Sequence, residues 1–371
     1  MRVLSVSALL DPVTGGGTAE RTLQLARAMA RAGMEVRVLT TDAGLRASPR
    51  RLEVGAGELS VLPCRNERFL VPRDVGRIES YVRDADVVHL CNHWTLLNLM
   101  VQRAARRQGK PWAVCPAGAL PLFGRSKWLK RTYNALGGRT LVAEARGWVA
   151  ITRRETADFA PYGVDPARVE VIPNGIEPSD YSQGDARAFR ERFGLGSDKV
   201  ILFLGRLNAI KGPDLLLEGF LQQMTTGRLV FVGPDSGMRA VLEARAKEAG
   251  VAGRVIFAGW LGGADKVAAY RAADLVVVPS RQEAMSLVAL EAGACGKPVL
   301  LTDRCGFDEA ASSGGARVVQ ADAQAIGAAL AGLISSPGLP EMGQRLRELV
   351  LREYTWDVAV RRYAALFERM R

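Results

Sequence analysis

The sequence lacks pairable cysteines, long apolar runs and, over one extended stretch, any acid. Its five cysteines, Cys64, Cys91, Cys115, Cys295 and Cys305, are odd in number, widely spaced and without a C-x-x-C pair. That pattern argues against a disulfide framework and against a zinc site, and the thiols read as reduced and mostly buried. No apolar run approaches the roughly 20 residues that span a bilayer. Val3 to Leu10 imitates the core of a signal peptide, but Asp11 and a glycine run follow at once. The segment therefore reads as a first buried strand, and a cytoplasmic location is expected. A G-x-G-x-x-G fingerprint is absent: Gly15, Gly16 and Gly17 are consecutive, and no acid placed for a ribose follows, which argues against a dinucleotide site. The only Asp-x-Asp, Asp84-Ala-Asp86, precedes a strand instead of following one. It stands at the wrong sheet edge for a catalytic metal and reads as surface charge, so neither a metal nor another cofactor is expected. No nucleophile paired with a base is found.

What is present is ordinary in bulk and uneven in charge. Hydrophobic residues make up 48% and charged residues 24%, close to soluble globular averages, which excludes disorder and fibrous repeats. At 371 residues the chain exceeds one ordinary core, and about 150 residues per domain gives two, with a cleft between them. The net charge of +11 asks for an anionic partner, whether phosphate, acidic lipid or nucleic acid. No recognised nucleic-acid motif accompanies the charge, so that partner is not expected. Up to residue 180 there are 26 Lys/Arg against 18 Asp/Glu, and beyond it 24 against 21. Between Asp86 and Glu144 no acid occurs, while Arg103, Arg106, Arg107, Lys110, Arg125, Lys127, Lys130, Arg131 and Arg139 do.

Short β-branched runs alternate with helical patterns throughout, the βαβ signature of a parallel sheet. Val3–Ser7 reads as strand, Thr18–Arg31 as helix and Glu35–Thr40 as strand. Further strands are expected at Asp86–Cys91, Trp112–Cys115 and Trp148–Ile151 and from Val169, the last ended by the Pro173-Asn174-Gly175 turn. A second series opens with Val200-Ile-Leu-Phe-Leu and continues at Leu229–Val232, Val255–Ala258, Leu275–Val278 and Val299–Leu301. Two α/β domains with doubly wound parallel sheets follow, residues 1–177 and 178–353, with a C-terminal helix over 354–371 packing back on the first. In such sheets ligands sit beyond the carboxyl ends of the strands.

Three loops at those ends carry candidate chemistry. Gly15, Gly16 and Gly17, followed by Thr18 as N-cap, let backbone amides approach a phosphate or sugar, although a plain tight turn reads almost as well. Gly205-Arg206 and Lys211-Gly212 place two cations at a strand end beside a helix N-terminus, a receptor for a diphosphate or a pair of surface charges. The most informative segment is Pro279-Ser-Arg-Gln-Glu283-Ala-Met-Ser-Leu-Val-Ala-Leu-Glu291-Ala-Gly-Ala-Cys-Gly-Lys-Pro-Val. Ser286 is placed to cap a helix whose N-terminus Glu283 and Glu291 bracket, about 10 Å apart from helix geometry. One carboxylate suits sugar hydroxyls and the other ribose hydroxyls, with the amides of Met285, Ser286, Leu287 and Val288 facing phosphate; both carboxylates also suit the helix dipole alone.

Glu-x7-Glu after a strand ending in Pro-Ser, with Gly-x-Pro-Val beyond it, resembles family 4 of the retaining glycosyltransferases. Val171-Ile-Pro-Asn-Gly-Ile-Glu177 is similar to that family's interdomain strand, Gly205-Arg206 with Lys211-Gly212 to its phosphate clamp, and Phe257-Ala-Gly-Trp-Leu261 to its nucleobase-proximal loop. The resemblance implies the GT-B fold, two Rossmann-like domains around a cleft, and transfer of a sugar from a nucleotide sugar, UDP- or GDP-linked, to a hydroxyl. Lipid-linked or cell-envelope glycans are the implied acceptors. It assigns Glu283 to the donor sugar, Glu291 to the ribose, Arg206 and Lys211 to the diphosphate, and Gly233, Leu261 and the glycines at 15–17 to the donor's surroundings. The implied mechanism is same-face attack, in which the leaving phosphate takes the acceptor's proton without a metal. A nucleotide-sugar epimerase, a phosphorylase of the same fold or a non-catalytic binding protein are the alternatives.

The pattern departs from the family where a histidine that contacts the donor often follows the strand ending here at Cys115. The sequence reads Cys115-Pro-Ala-Gly118 instead. Of the two histidines, His89 reads as structural, and His93, with Cys115 and Gly118, is an acceptor-side candidate. The acid-free stretch centres on Ala119–Tyr133, where Leu120, Leu122, Phe123 and Trp128 are expected to enter an anionic membrane surface. Arg125, Lys127, Lys130 and Arg131 would then meet lipid phosphates, giving peripheral attachment. A solvated basic face is the competing reading.

Overall fold

The computed structural model describes residues 1–11, 15–45, 57–66, 70–122, 127–223 and 226–371. They form two compact units, Met1–Gly175 with Trp356–Arg371, and Ile176–Thr355.

The first unit is built on a parallel sheet of seven strands. They are β1 (Arg2–Val6), β2 (Glu35–Thr41), β3 (Glu58–Leu62) and, after a small antiparallel ribbon of β4 (Cys64–Asn66) and β5 (Val71–Pro72), β6 (Val87–Cys91), β7 (Trp112–Cys115), β8 (Gly147–Ala150) and β9 (Glu170–Val171). Their spatial order is β3-β2-β1-β6-β7-β8-β9. Strands β6, β7 and β8 are buried along their whole length, as strands covered on both faces must be, which is why they read as continuous apolar runs. Between them run α1 (Gly16–Arg31), α2 (Gly76–Asp84), α3 (Leu96–Arg107), α4 (Lys127–Tyr133) and α5 (Arg139–Ala143). Thr95 starts α3 by accepting the Asn98 amide proton at its side chain.

Two sequence expectations change here. Helix α1 begins at Gly16, so Thr18 lies in its first turn and does not cap it, and Gly16 and Gly17 are helical instead of looped. The Gly15 amide donates to the Asp11 carbonyl at 2.8 Å, and a Cβ on Gly15 would stand 2.8 Å from that same oxygen. The glycine therefore serves a close approach of the chain to the helix start. Strand β3 and the ribbon fall where no strand was expected. Strand β3 is an edge strand with alternating burial, so it lacks the continuous apolar run that marks the buried strands.

The second unit holds a six-stranded parallel sheet in the order β12-β11-β10-β13-β14-β15. The strands are β10 (Val200–Leu204), β11 (Arg228–Val232), β12 (Val255–Gly259), β13 (Leu275–Val278), β14 (Val299–Thr302) and β15 (Ala316–Val319). Its helices are α6 (Ala186–Arg192), α7 (Pro213–Gln222), α8 (Arg239–Glu248), α9 (Gly263–Ala272), α10 (Leu287–Ala294), α11 (Asp308–Ser312), α12 (Ala323–Ile334) and α13 (Leu339–Glu353). The order reverses where β10 lies beside β13, so the loops that follow those two strands adjoin at the switch point, where open α/β sheets take ligands.

The last helix, α14 (Trp356–Met370), belongs to the first unit and packs on α1. The crossings fall at 175/176 and 355/356, slightly displaced from the boundaries drawn at 177/178 and 353/354. Ile176 donates its amide to the Tyr354 carbonyl at 2.9 Å and bridges Thr355, which fixes both chain segments in the second unit.

Candidate functional site

At the switch point of the second unit the loop after β10 and the loop after β13 are tied together. Arg281 donates from both terminal nitrogens to the two carboxylate oxygens of Asp214, at 2.9 and 2.6 Å, and to the Ala209 carbonyl at 2.6 Å. Gly212 makes the approach possible. Its φ is +68°, and a Cβ there would sit 2.2 Å from the Pro279 carbonyl oxygen. Gly233, at the end of β11, is likewise pressed on the Gly205 carbonyl, 2.0 Å from where its Cβ would stand.

Held in this way, Lys211 and Glu283 meet. The Lys211 ammonium donates to Glu283 Oε1 at 2.6 Å, and Ser280 Oγ donates to the same oxygen at 2.5 Å. The Glu283 side chain is 8% exposed and that of Lys211 28%, so the cation forms the outer, solvent-facing side of the pair. Arg206 is exposed, and no hydrogen bond or ion pair engages its guanidinium among the described residues. One cation is thus pre-positioned by a carboxylate and the other is unengaged beside it in sequence.

Beyond Glu283 the chain turns into α10. Ser286 is the N-cap, its side chain accepting from the Ala289 amide at 3.3 Å, while its own amide donates to the Cys305 carbonyl at 3.1 Å. The amides of Leu287 and Val288 have no acceptor within the helix, as helix geometry requires, and carry its positive dipole end. The side chains of Met285 and Leu261 are buried, so those positions offer backbone groups rather than side chains. Glu291, also buried, accepts from the Lys266 ammonium at 2.9 Å and from the Tyr270 hydroxyl at 2.6 Å. Burial first, and the Glu291 charge second, push the Tyr270 phenol well above its ordinary value, which keeps it a donor. Neither Lys266 nor Tyr270 was singled out from the sequence. Their only signal is a spacing of i, i+4 on α9, which puts two polar groups on one helix face.

In the first unit two of the three expected acceptor-side residues, His93 and Cys115, are enclosed, and Gly118 is partly buried. His93 is fully buried among the rings of Trp94, Tyr133 and Tyr162, with centroids 4.4, 5.3 and 5.4 Å away. Its Nε2 lies 3.3 Å from Asn134 Oδ1. Burial pushes its pKa down to about 4. His89 is fully buried as well, at about 3 for the same reason, helped by the Arg21 charge. Cys115, also fully buried, accepts from Arg21 Nη2 at 3.0 Å. Arg21 further donates to Asn174 Oδ1 at 2.8 Å and to the Tyr363 hydroxyl at 2.9 Å. Burial pushes the Cys115 thiol up to about 11, so it is neutral near pH 7. The Gly118 amide donates to the buried Glu155 carboxylate at 2.6 Å. In this structure Cys115 and His93 present no atom to solvent, which corrects the expectation that they face an acceptor. The physical reason is that aromatic and guanidinium partners already fill their surroundings.

The stretch expected at a membrane divides. Phe123 and Arg125 lie outside the described residues. Leu120 is buried and is withdrawn from the proposed interface. Trp128, on α4, is 67% exposed, with Leu122 and Leu129 also exposed. Lys127 and Arg131 are exposed, and Lys130 stands 5.0 Å over the Trp94 ring. Trp128 is therefore not packed on the core, whereas Tyr133, at the other end of α4, is. At the far sheet edge, Asp86 pairs with Arg2 and Asp84 with Arg37.

Comparison with known proteins covers both units. Residues 16–175 match the family described as glycosyl transferase 4-like domain, and residues 185–348 the one described as glycosyl transferases group 1. The D-inositol 3-phosphate glycosyltransferase of Acidothermus cellulolyticus is 32% identical over 340 residues, 81% of this chain and 73% of that protein. The protein of that name from Xylanimonas cellulosilytica is 33% identical over 374 residues, 87% and 82%. Among solved structures, HepE of Anabaena in complex with UDP and glucose superposes with a TM-score of 0.81 at 18% identity, covering all of both chains. Sucrose-phosphate synthase of Thermosynechococcus elongatus gives 0.79 at 20% identity, over 100% of this chain and 98% of that one. These likenesses identify the two parallel-sheet units as the GT-B fold.

Proposed function

The chain belongs to the group 1 glycosyltransferases with a glycosyltransferase 4-like N-terminal domain, and from that premise we propose a retaining, metal-independent transfer from a UDP-sugar to a hydroxyl. The observation that carries this reading is the arrangement around α10: a carboxylate–ammonium pair, an exposed arginine nearby in sequence and a capped helix start, followed by a second, buried carboxylate. In the proposed complex Lys211 and Arg206 meet the diphosphate, the amides of Leu287 and Val288 add the helix dipole, and Glu291 takes the ribose. Glu283, kept in place by Ser280 and Lys211, accepts from the donor sugar's hydroxyls. UDP is chosen over GDP because HepE, of the same fold, is described in complex with UDP and with UDP-glucose.

Charge develops on the departing diphosphate, and the cations stabilise it, Lys211 being already held in place by Glu283. No protein nucleophile enters; the leaving phosphate oxygen takes the acceptor's proton on the face where the new bond forms. The residues position the reactants and hold the charge. The exposed basic and apolar surface of α4 supports a lipid-linked acceptor at an anionic membrane surface. The relatives' name makes D-inositol 3-phosphate the soluble acceptor to set against it.

The test is UDP release from UDP-sugars with each acceptor, with the product's anomeric configuration read by NMR. An α-linked product from an α-linked donor is expected. An inverted product overturns the mechanism, and transfer to D-inositol 3-phosphate alone overturns the lipid-linked acceptor.

A further inference from the structure

We infer that the first unit carries a second anion site, a groove between the last two turns of α3 and the turn Asn134–Gly138, which takes the phosphate of an anionic phospholipid headgroup. The groove measures about 370 Å³ and is lined by Gln102, Arg103, Arg106, Arg107, Leu136 and Thr140 among others. Residues at i, i+3 and i+4 share a helix face, so Arg103, Arg106 and Arg107 stand together. The dipole at a helix C-terminus accounts for Arg106 and Arg107 in the last turn, but Arg103 lies a turn earlier. Arg106 pairs with Glu144 at 3.3 Å and Arg107 with Glu79; both are exposed pairs of the kind that yield readily to a competing anion. Arg103 has no carboxylate partner among the described residues. It donates to the Leu136 carbonyl at 2.8 Å, which holds its fork against the groove wall with other donors unspent. Gln102, almost fully buried, lines the same groove, and its Nε2 has no acceptor. A phosphate, with several acceptor oxygens, matches such forked donors.

The apolar rim decides the ligand's class. Leu136, a lining residue, is 60% exposed, and the exposed Trp128 and Leu129 stand on α4 just before the turn. A cationic groove edged by exposed apolar side chains fits an amphiphile, phosphate inward and chains along the rim. The chain leaves α3 to enter β7 at its amino end, so the groove lies away from the carboxyl ends of the strands of its own sheet. The source of the phosphate rests on the membrane reading above; the groove does not.

Two probes separate these parts. Short-chain phosphatidylglycerol below its micelle concentration, and inorganic phosphate, are titrated while arginine side-chain NMR signals are followed. Flotation uses phosphatidylcholine vesicles with and without phosphatidylglycerol. The wild type should saturate with the short-chain lipid and float only with anionic vesicles. The double variant Arg103→Gln/Arg107→Gln should lose about tenfold in lipid affinity, roughly one charged hydrogen bond, with circular dichroism and turnover of a soluble acceptor unchanged. Trp128→Ser should keep the lipid titration and lose flotation. Unchanged lipid affinity in the double variant overturns the groove, even where Trp128→Ser upholds membrane attachment. Equal affinity for inorganic phosphate and the lipid, without flotation of the wild type, overturns the lipid assignment.

Discussion

Replacing Lys211 by Met separates a structural ion pair from a diphosphate clamp. The substitution keeps the apolar stem and deletes the ammonium that lies 2.6 Å from Glu283. Glu283, 8% exposed at its side chain, then retains the Ser280 hydroxyl but no cation. Breaking a buried pair from one side costs about 3 to 5 kcal/mol; because Lys211 is itself 28% exposed, water replaces part of the loss and about 2 kcal/mol is the better expectation. Glu283→Gln removes the same charge pair without leaving an anion behind, so it should cost less, and the double variant should recover part of the loss. In a double-mutant cycle followed by urea unfolding, a coupling of about 1 to 2 kcal/mol is expected. The second readout is UDP affinity by calorimetry. One charged hydrogen bond to a phosphate contributes about 1.5 to 3 kcal/mol, or about 10- to 150-fold in Kd. Lys211→Met should show both losses. Glu283→Gln should bind UDP nearly as the wild type does, yet transfer poorly. If Lys211→Met loses stability while its UDP affinity is unchanged, Lys211 is only a partner for Glu283, and its assignment to the diphosphate fails.

Glu291→Gln should weaken UDP binding, and Tyr270→Phe, which removes one donor to Glu291, should weaken it about tenfold or less; equal Kd values for both variants and the wild type would remove Glu291 from the ribose. Transfer should persist in EDTA, since the cations proposed at the diphosphate are side chains; loss of turnover restored by magnesium or manganese contradicts this. Burial holds the folded pKa of His89 at about 3 and of His93 at about 4, below the ordinary value near 6.5, so the unfolded chain takes up protons first. Stability is then complete above about pH 6.5 and falls by about 2 kcal/mol per histidine by pH 5, and a His93→Gln variant whose melting temperature falls with pH as steeply as the wild type's would refute it.

The parts of the proposed site that the sequence made legible are those whose chemistry is local. Between Asp274 and Val299 a buried strand, a polar loop, a cap and a helix follow in one run, and periodicity, β-branching and the Ser286 cap each point to the same local structure. Partners that arrive from another βα unit leave no such trace. Lys266 and Tyr270 meet Glu291 across 25 and 21 residues, and only the tertiary fold brings them there. Leu120 and Trp128 illustrate a second limit. Both are large apolar residues in one basic stretch, and composition cannot separate the side chain that folds inward from the one left on the surface.

Cys115 brings both limits together. Standing where relatives often carry a histidine, it reads from sequence either as a substitute or as a gap. The structure gives it a role that neither reading contains, because its partner Arg21 lies 94 residues earlier and binds Asn174 and Tyr363, 153 and 342 residues from Arg21, at the same time. An imidazole in a cleft works by exchanging a proton near neutral pH. A thiol whose pKa burial lifts to about 11 keeps its proton near neutral pH, and, fully buried with its sulfur already accepting from a guanidinium, it lacks the access as well. Its sulfur helps to join β7, α1, the turn after β9 and α14 around one cation. The departure at this position therefore reads as a structural one: the side chain that replaces the histidine is spent on holding the first unit together.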